Sequence, residues 1–330
     1  MTKGTDRTRF PHYSTHAADF FKMFAGTLTR RVGIANDLEL FLEQYLHDAV
    51  KFLLPDNGYL FAEHDFKPEM FDLLRLPFPA CALEFTAGAE LYSEDHGLAE
   101  SKKRIALCFD PHALPDLQKQ RLARLFADPA WESALPPAAL CVIAVFEIDE
   151  LWGASVGMVI IDLEGDRPLK VADITDENIR QTLSGMTSKL GRINTKHGLP
   201  ASFHVFTSRA TALSIPPAAA LDNLYIDTVD ETRAVYEFLA AINCANVDVL
   251  VTPAPAMLNK KRAQKGKAPF FPYHVLNLFP TNYGSSGTGT HASPHTHLRR
   301  GHLRRLGEKF GNKVIWINAA VVNPGRAPSS

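Results

Sequence analysis

The sequence predicts an α+β fold: a mixed or antiparallel sheet with flanking helices, plus a C-terminal basic β-hairpin module. Short apolar runs rich in Val, Ile, Leu and Cys recur between residues 81 and 163, each of strand length and bounded by turn residues. Longer segments carry apolar residues at three- and four-residue spacing behind Asn, Asp or Thr, the mark of amphipathic helices. The two kinds do not alternate strictly, which separates this pattern from a doubly wound parallel sheet.

In chain order, residues 1–35 lack a strong period and read as an irregular lead-in. In "NDLELFLEQYLHDAVKFLL" (36–54), Leu38, Phe41, Leu42, Tyr45, Leu46, Ala49 and Phe52 keep helical spacing. Asn36 or Asp37 caps that helix and Pro55 stops it. "KPEMFDLLRLPFP" offers a helical turn stopped by Pro77 and Pro79. Strands follow at "CALEFT", "RIALCF", "LCVIAVFEI" and "VGMVIIDL", with the helix "LPDLQKQRLARLFADP" between the second and third and a hairpin across "DELWGAS". "TDENIRQTLSGMTSKL" and "DETRAVYEFLAAIN" read as helices, and "ASFHVFTSR" as a strand. After "VTPAP", the stretch "MLNKKRAQKGKAPFFPY" begins as a helix ended by Gly266 and Pro269, and "YHVLNLF" is strand-like. Residues 280–294 hold Gly, Ser and Thr at most positions and read as a flexible loop. "HLRRL", the turn "GEKFGN" and "KVIWINAAVV" make a hairpin.

With 330 residues, 46% of them apolar, the chain is long enough to bury a real core. The first residues have no apolar core behind their basic groups, so no secretory signal is expected. The longest greasy run, "ALCVIAVFEI", is too short for a bilayer, so the expected setting is cytoplasmic, without a membrane partner. The four cysteines (Cys81, Cys108, Cys141, Cys244) show no CxxC spacing and read as buried, reduced thiols.

Charge divides the chain into two expected domains. Residues 256–330 carry twelve Lys or Arg against the single acid Glu308, a net of +11. Residues 1–255 then hold 23 basic and 35 acidic groups, a net of −12, within a chain total of −1. The division is an acidic α+β domain at 1–255 and a basic, His/Arg-rich module at 256–330, and it is the basic part that speaks to function.

That part contains "HASPHTHLRRGHLRRL" (291–306). The histidines His291, His295, His297 and His302 invite a metal reading. A cation there would sit among Arg299, Arg300, Arg304 and Arg305, where one like charge at about 6 Å costs about 3 kcal/mol at an effective dielectric near 20. No metal or other cofactor is therefore expected. Binding of nucleic acid suits the inventory better. Lys260, Lys261, Arg262, Lys265 and Lys267 would contact phosphates, Arg299, Arg300, Arg304 and Arg305 would do so from the hairpin, and Trp316 would stack. Phe270, Phe271, Tyr273 and Phe310 add aromatic surface beside these cations.

Two alternatives stand beside that reading. In a metal-independent ribonuclease, His297 and His302 would act as base and acid while Arg299 or Arg300 stabilises the phosphorane charge. A viral inhibitor would instead bind a host protein with its acidic surface. A fourth possibility is bland: the basic face docks on the acidic remainder of the same chain, as net neutrality suggests. Acids at 173–178, among them Asp173, Asp176 and Glu177, read as a helix start rather than a Mg²⁺ site. No GxSxG, HExxH, GxGxxG or zinc-finger spacing is present.

"LNKKRAQKGKAPFFPYHVL", "HASPHTHLRRGHLRRL" and "VIWINAAVV" resemble the C-terminal half of a group of bacteriophage and prophage proteins without an assigned activity. The similarity rests on about 75 residues, with a weaker echo at "LLRLPFPACALEF" and "AAINCANV". The resemblance implies a viral or mobile-element origin and carries no catalytic residue across.

Overall fold

Alternation along the apolar runs builds a mixed sheet with a different core on each face. The structure, a computed structural model, describes residues 10–31, 36–61, 73–87, 101–164, 201–278, 297–299, 302–317 and 320–322. Its large sheet comprises β1 (Val50–Leu53), β2 (Ala80–Thr86), β3 (Lys103–Phe109), β4 (Ala139–Ile148), β5 (Leu151–Ala154), β6 (Gly157–Asp162), β7 (Ala201–Val205), β8 (Val247–Thr252) and β9 (Tyr273–Leu278). The order is β7-β6-β4-β3-β2-β1-β9-β8, with β5 folded back on β4. β1 runs parallel to β2 and β9, and the other pairs are antiparallel. The expected α+β class is the one observed.

On one face, Ala82, Ile105, Leu107, Cys141 and Ile143 pack under α1 (Tyr13–Arg31), α2 (Asp37–Asp48) and α3 (Asp116–Phe126). On the other, Leu83, Phe85, Ala106, Cys108, Leu140 and Val142 meet α5 (Pro217–Ile242), which follows the short α4 (Thr207–Ala212). All four cysteines are buried and free, as their apolar settings suggest.

Several elements depart from expectation. α5 begins at Pro217 and not near Asp230, and β8 falls where no strand is expected. The expected loop "DELWGAS" holds β5, and the expected strand over 201–209 gives way to α4 at Thr207. The lead-in contains α1, whose buried stripe Ala17, Ala18, Phe21 and Ala25 is mostly alanine and gives little hydropathy signal. The helix expected over 36–54 stops at Asp48: Ala49 is extended (φ −57, ψ 145), and Val50–Leu53 turns into β1 between β2 and β9. Sheet pairing outweighs local helical spacing there.

Beyond residue 255 come α6 (Ala256–Gln264) and β9, then the expected hairpin of β11 (His302–Arg305) and β12 (Val314–Ile317). Gly311 (φ 67) and Asn312 (φ 55) supply the left-handed backbone of its turn. β10 (His297–Arg299) pairs separately with β13 (Ala320–Val322). Leu303 and Val314 join the core under α5. The Asn246 amide donates to Trp316 O and accepts from Trp316 N, both at 2.7 Å, and Ala245 N donates to Val314 O at 2.9 Å. A side-chain amide thus acts as a strand segment that fastens the hairpin beside the start of β8. The charge boundary at 255 falls between β8 and α6, while β9, beyond it, lies between β1 and β8. The expected loop 280–294 and the expected helix at 175–190 lie outside the described residues.

Candidate nucleic-acid interface

α6 has no buried residue, so packing of an apolar stripe does not hold it. Two residues of one face, at i and i+3, do. The Asn259 side chain donates to Phe270 O (2.9 Å) and accepts from Phe270 N (2.7 Å). Arg262 donates through Nε to Ala268 O and through Nη2 to Asp19 Oδ2 of α1 (2.5 Å), with its guanidinium 4.4 Å from the Phe270 ring centre. At 100° per residue, anchoring at 259 and 262 turns Met257, Lys260, Lys261 and Gln264 outward. Lys260 and Lys261 are exposed, as are Lys265 and Lys267 just past the helix end at Gln264.

Arg262 therefore leaves the expected phosphate-contact set: its charge is spent on Asp19. The aromatics expected beside the lysines are also engaged internally. Phe270 stacks on His12 at 4.0 Å, Phe271 receives the Lys51 ammonium at 3.8 Å, and Tyr273 donates to the buried Glu84. Burial first, then the neighbouring His16 and Arg262, holds His12 down at about 4, so it is neutral near pH 7.

On the hairpin, Arg304 and Arg305 are both exposed, and the turn adds exposed Lys309, Lys313 and Phe310. Trp316, expected to stack on bases, has part of its surface engaged internally. It is half-buried against the core under α5, with its ring 5.2 Å from that of Phe61. His297 stands opposite Val322 and Arg299 opposite Ala320, whereas His302 stands opposite Ile317. The two candidate catalytic histidines thus belong to different strand pairs. Arg300, His291 and His295 lie outside the described residues.

Among the described residues, no carboxylate lies within ion-pair distance of Lys260, Lys261, Lys265, Lys267 or Arg304. The pairs that do form lie mostly within residues 1–255, with Arg262–Asp19 crossing the boundary. Sheet geometry divides the exposed cations in two. α6 is tied to α1 on one face, and the hairpin packs with α5 on the other.

Sequence reading missed two buried charge systems. Glu84, fully buried on β2, accepts from Tyr13 N and Ser14 N, both at 2.9 Å, and so caps α1 from another element. On neighbouring β1, Lys51 donates to His47 O and Ala49 O, both at 2.5 Å, at the end of α2. Burial brings its ammonium down to about 8, although Glu84 and Asp48 pull upward. On α5, Asp227, Asp230 and Glu231 share one helix face at i, i+3 and i+4, a spacing that was legible. Arg104 of β3 grips Glu231 with Nε at 2.6 Å and Nη2 at 2.9 Å, and Arg233 bonds Glu237 at 2.7 Å. Among the described residues, no group of three or more His, Cys, Asp or Glu is placed to hold a metal ion.

No protein-family model, curated protein or solved structure matches this chain. Among the described residues, no helix is long and apolar enough to cross a membrane.

Proposed function

We propose that this protein binds nucleic acid through the exposed lysines of α6 and the exposed arginines of the β11–β12 hairpin. One observation carries the reading: these cations remain open to solvent although the same chain holds 36 carboxylates. Had the basic segment served to neutralise the acidic one, Lys260, Lys261, Lys265, Lys267 and Arg304 would be paired with described carboxylates as Arg262 is with Asp19. Lysine and arginine presented this way neutralise phosphates and release counterions, a driving force that salt weakens. The bacteriophage or prophage origin and the cytoplasmic setting suggested by sequence belong to the same proposal.

The test is a binding titration of labelled RNA and DNA at two salt concentrations, with and without chelator. The expected result is intact substrate and an affinity that falls about tenfold or more between 50 and 200 mM salt. The double substitution Lys260→Glu and Lys261→Glu should weaken binding further and flatten the salt slope. An affinity indifferent to salt and to that substitution overturns the proposal. Cleavage of RNA alone, resistant to chelator and lost in His302→Ala, would replace it with the ribonuclease reading.

A further inference from the structure

We infer that the bound nucleic acid is a single strand lying along the exposed edge of β8, with phosphates at its two ends and bases on its apolar middle. The inference rests on the proposed binding function and names the form of its ligand. Among the described residues, β8 ends the strand order of the large sheet. The hairpin is fastened beside its start, through Ala245 and Asn246, and α6 begins at Ala256, four residues after its end at Thr252. The two cation sets therefore stand at opposite ends of one six-residue strand, a span of about 20 Å.

What lies between them is greasy. Leu250 is 53% exposed and Val251 57%, and Met257 (80%) and Leu258 (48%) continue the apolar surface onto α6. Neighbours along a strand point to opposite faces, so exposure of both Leu250 and Val251 means the edge projects beyond its covering layers. The acid on this strand, Asp248, is itself exposed, and its Oδ1 accepts from Val249 N at 2.7 Å. The surface thus runs from cations, past one carboxylate, over apolar residues and to cations again.

A duplex presents phosphates everywhere and hides its base faces, so it gains nothing from the apolar middle. It is also stiff, with a persistence length of about 50 nm, and resists following cations from the α5 side of a sheet to the α1 side. A single strand turns between nucleotides and carries apolar base faces that can settle on Leu250, Val251 and Met257 while its phosphates reach Arg304, Arg305, Lys260 and Lys261.

The experiment compares an unstructured single strand of roughly 30 nucleotides, its duplex and a single strand of roughly 8 nucleotides by fluorescence anisotropy. The full-length chain is tested beside three variants: Leu250→Ser with Val251→Ser, Lys260→Glu with Lys261→Glu, and Arg304→Glu with Arg305→Glu. The expected result is that the long single strand binds about tenfold tighter than the duplex and loses about tenfold to either charge reversal. The serine variant, changed only at exposed positions, should lose about fivefold on the single strand and nothing on the duplex. The short strand should bind weakly and respond to one charge reversal, not both. If the duplex binds as well as the single strand and the serine variant is neutral on both, the inference falls while nucleic-acid binding stands. If neither ligand binds, both fall.

Discussion

Single residues from one element complete another in this protein. Glu84 of the sheet satisfies the first amides of α1, and Lys51 satisfies the carbonyls of His47, in the last turn of α2, and of Ala49 just past it. Helix ends buried against a sheet have no water to bond, so these strand charges replace it. Asp227 is less well served. It is largely buried, and burial, helped by Glu231 and opposed by Arg104, pushes its carboxyl up to about 6. In the unfolded chain the same carboxyl ionises near its ordinary 3.8. Between those two values the folded form keeps a proton that the unfolded form has lost, so this residue's contribution to stability declines as pH rises through the window and stays low above it. Asp227→Asn should therefore stabilise the protein at pH 7.5 by about 2–3 kcal/mol and have little effect near pH 3.5, measured by urea denaturation at both pH values. A destabilised variant at pH 7.5 would mean that the ionised carboxylate is needed where it stands.

At the scale of elements, strands written as continuous apolar runs were legible: β2, β3, β4 and β6 fall where those runs place them, and so does the hairpin. α1 was not, because alanine packs closely while contributing little hydropathy, and its start is capped by Glu84, 71 residues away from Tyr13. β1 was misread because Ala49 and Phe52 continue a helical spacing that only the neighbouring strands interrupt. α6 depends on its anchors more than on its own sequence. A nine-residue helix is marginal alone, and this one buries nothing. Arg262→Ala should free it: amide exchange over 256–264 should quicken about tenfold while global stability changes by under about 1 kcal/mol. Unchanged exchange in that segment would show that Asn259 suffices.

Over the whole molecule, the electrical division at residue 255 cuts across one sheet and one core. β9 belongs to the basic segment yet lies between β1 and β8, and Leu303 and Val314 sit in the core under α5. A chain cut after residue 255 should lose cooperative unfolding and aggregate through the bared edges of β1 and β8, as seen by thermal melting and size exclusion. A folded, monomeric 1–255 would instead establish the acidic part as a domain in its own right.

By itself the sequence determined the fold class, the positions of most strands along the chain and the store of cations after residue 255, since each is written in local period and composition. Tertiary structure decided which of those groups face water: Arg262 pairs with Asp19, 243 positions earlier, and Trp316 packs on Phe61. Ion pairing and burial depend on distances through space, and those distances come into being only when the sheet brings remote segments side by side.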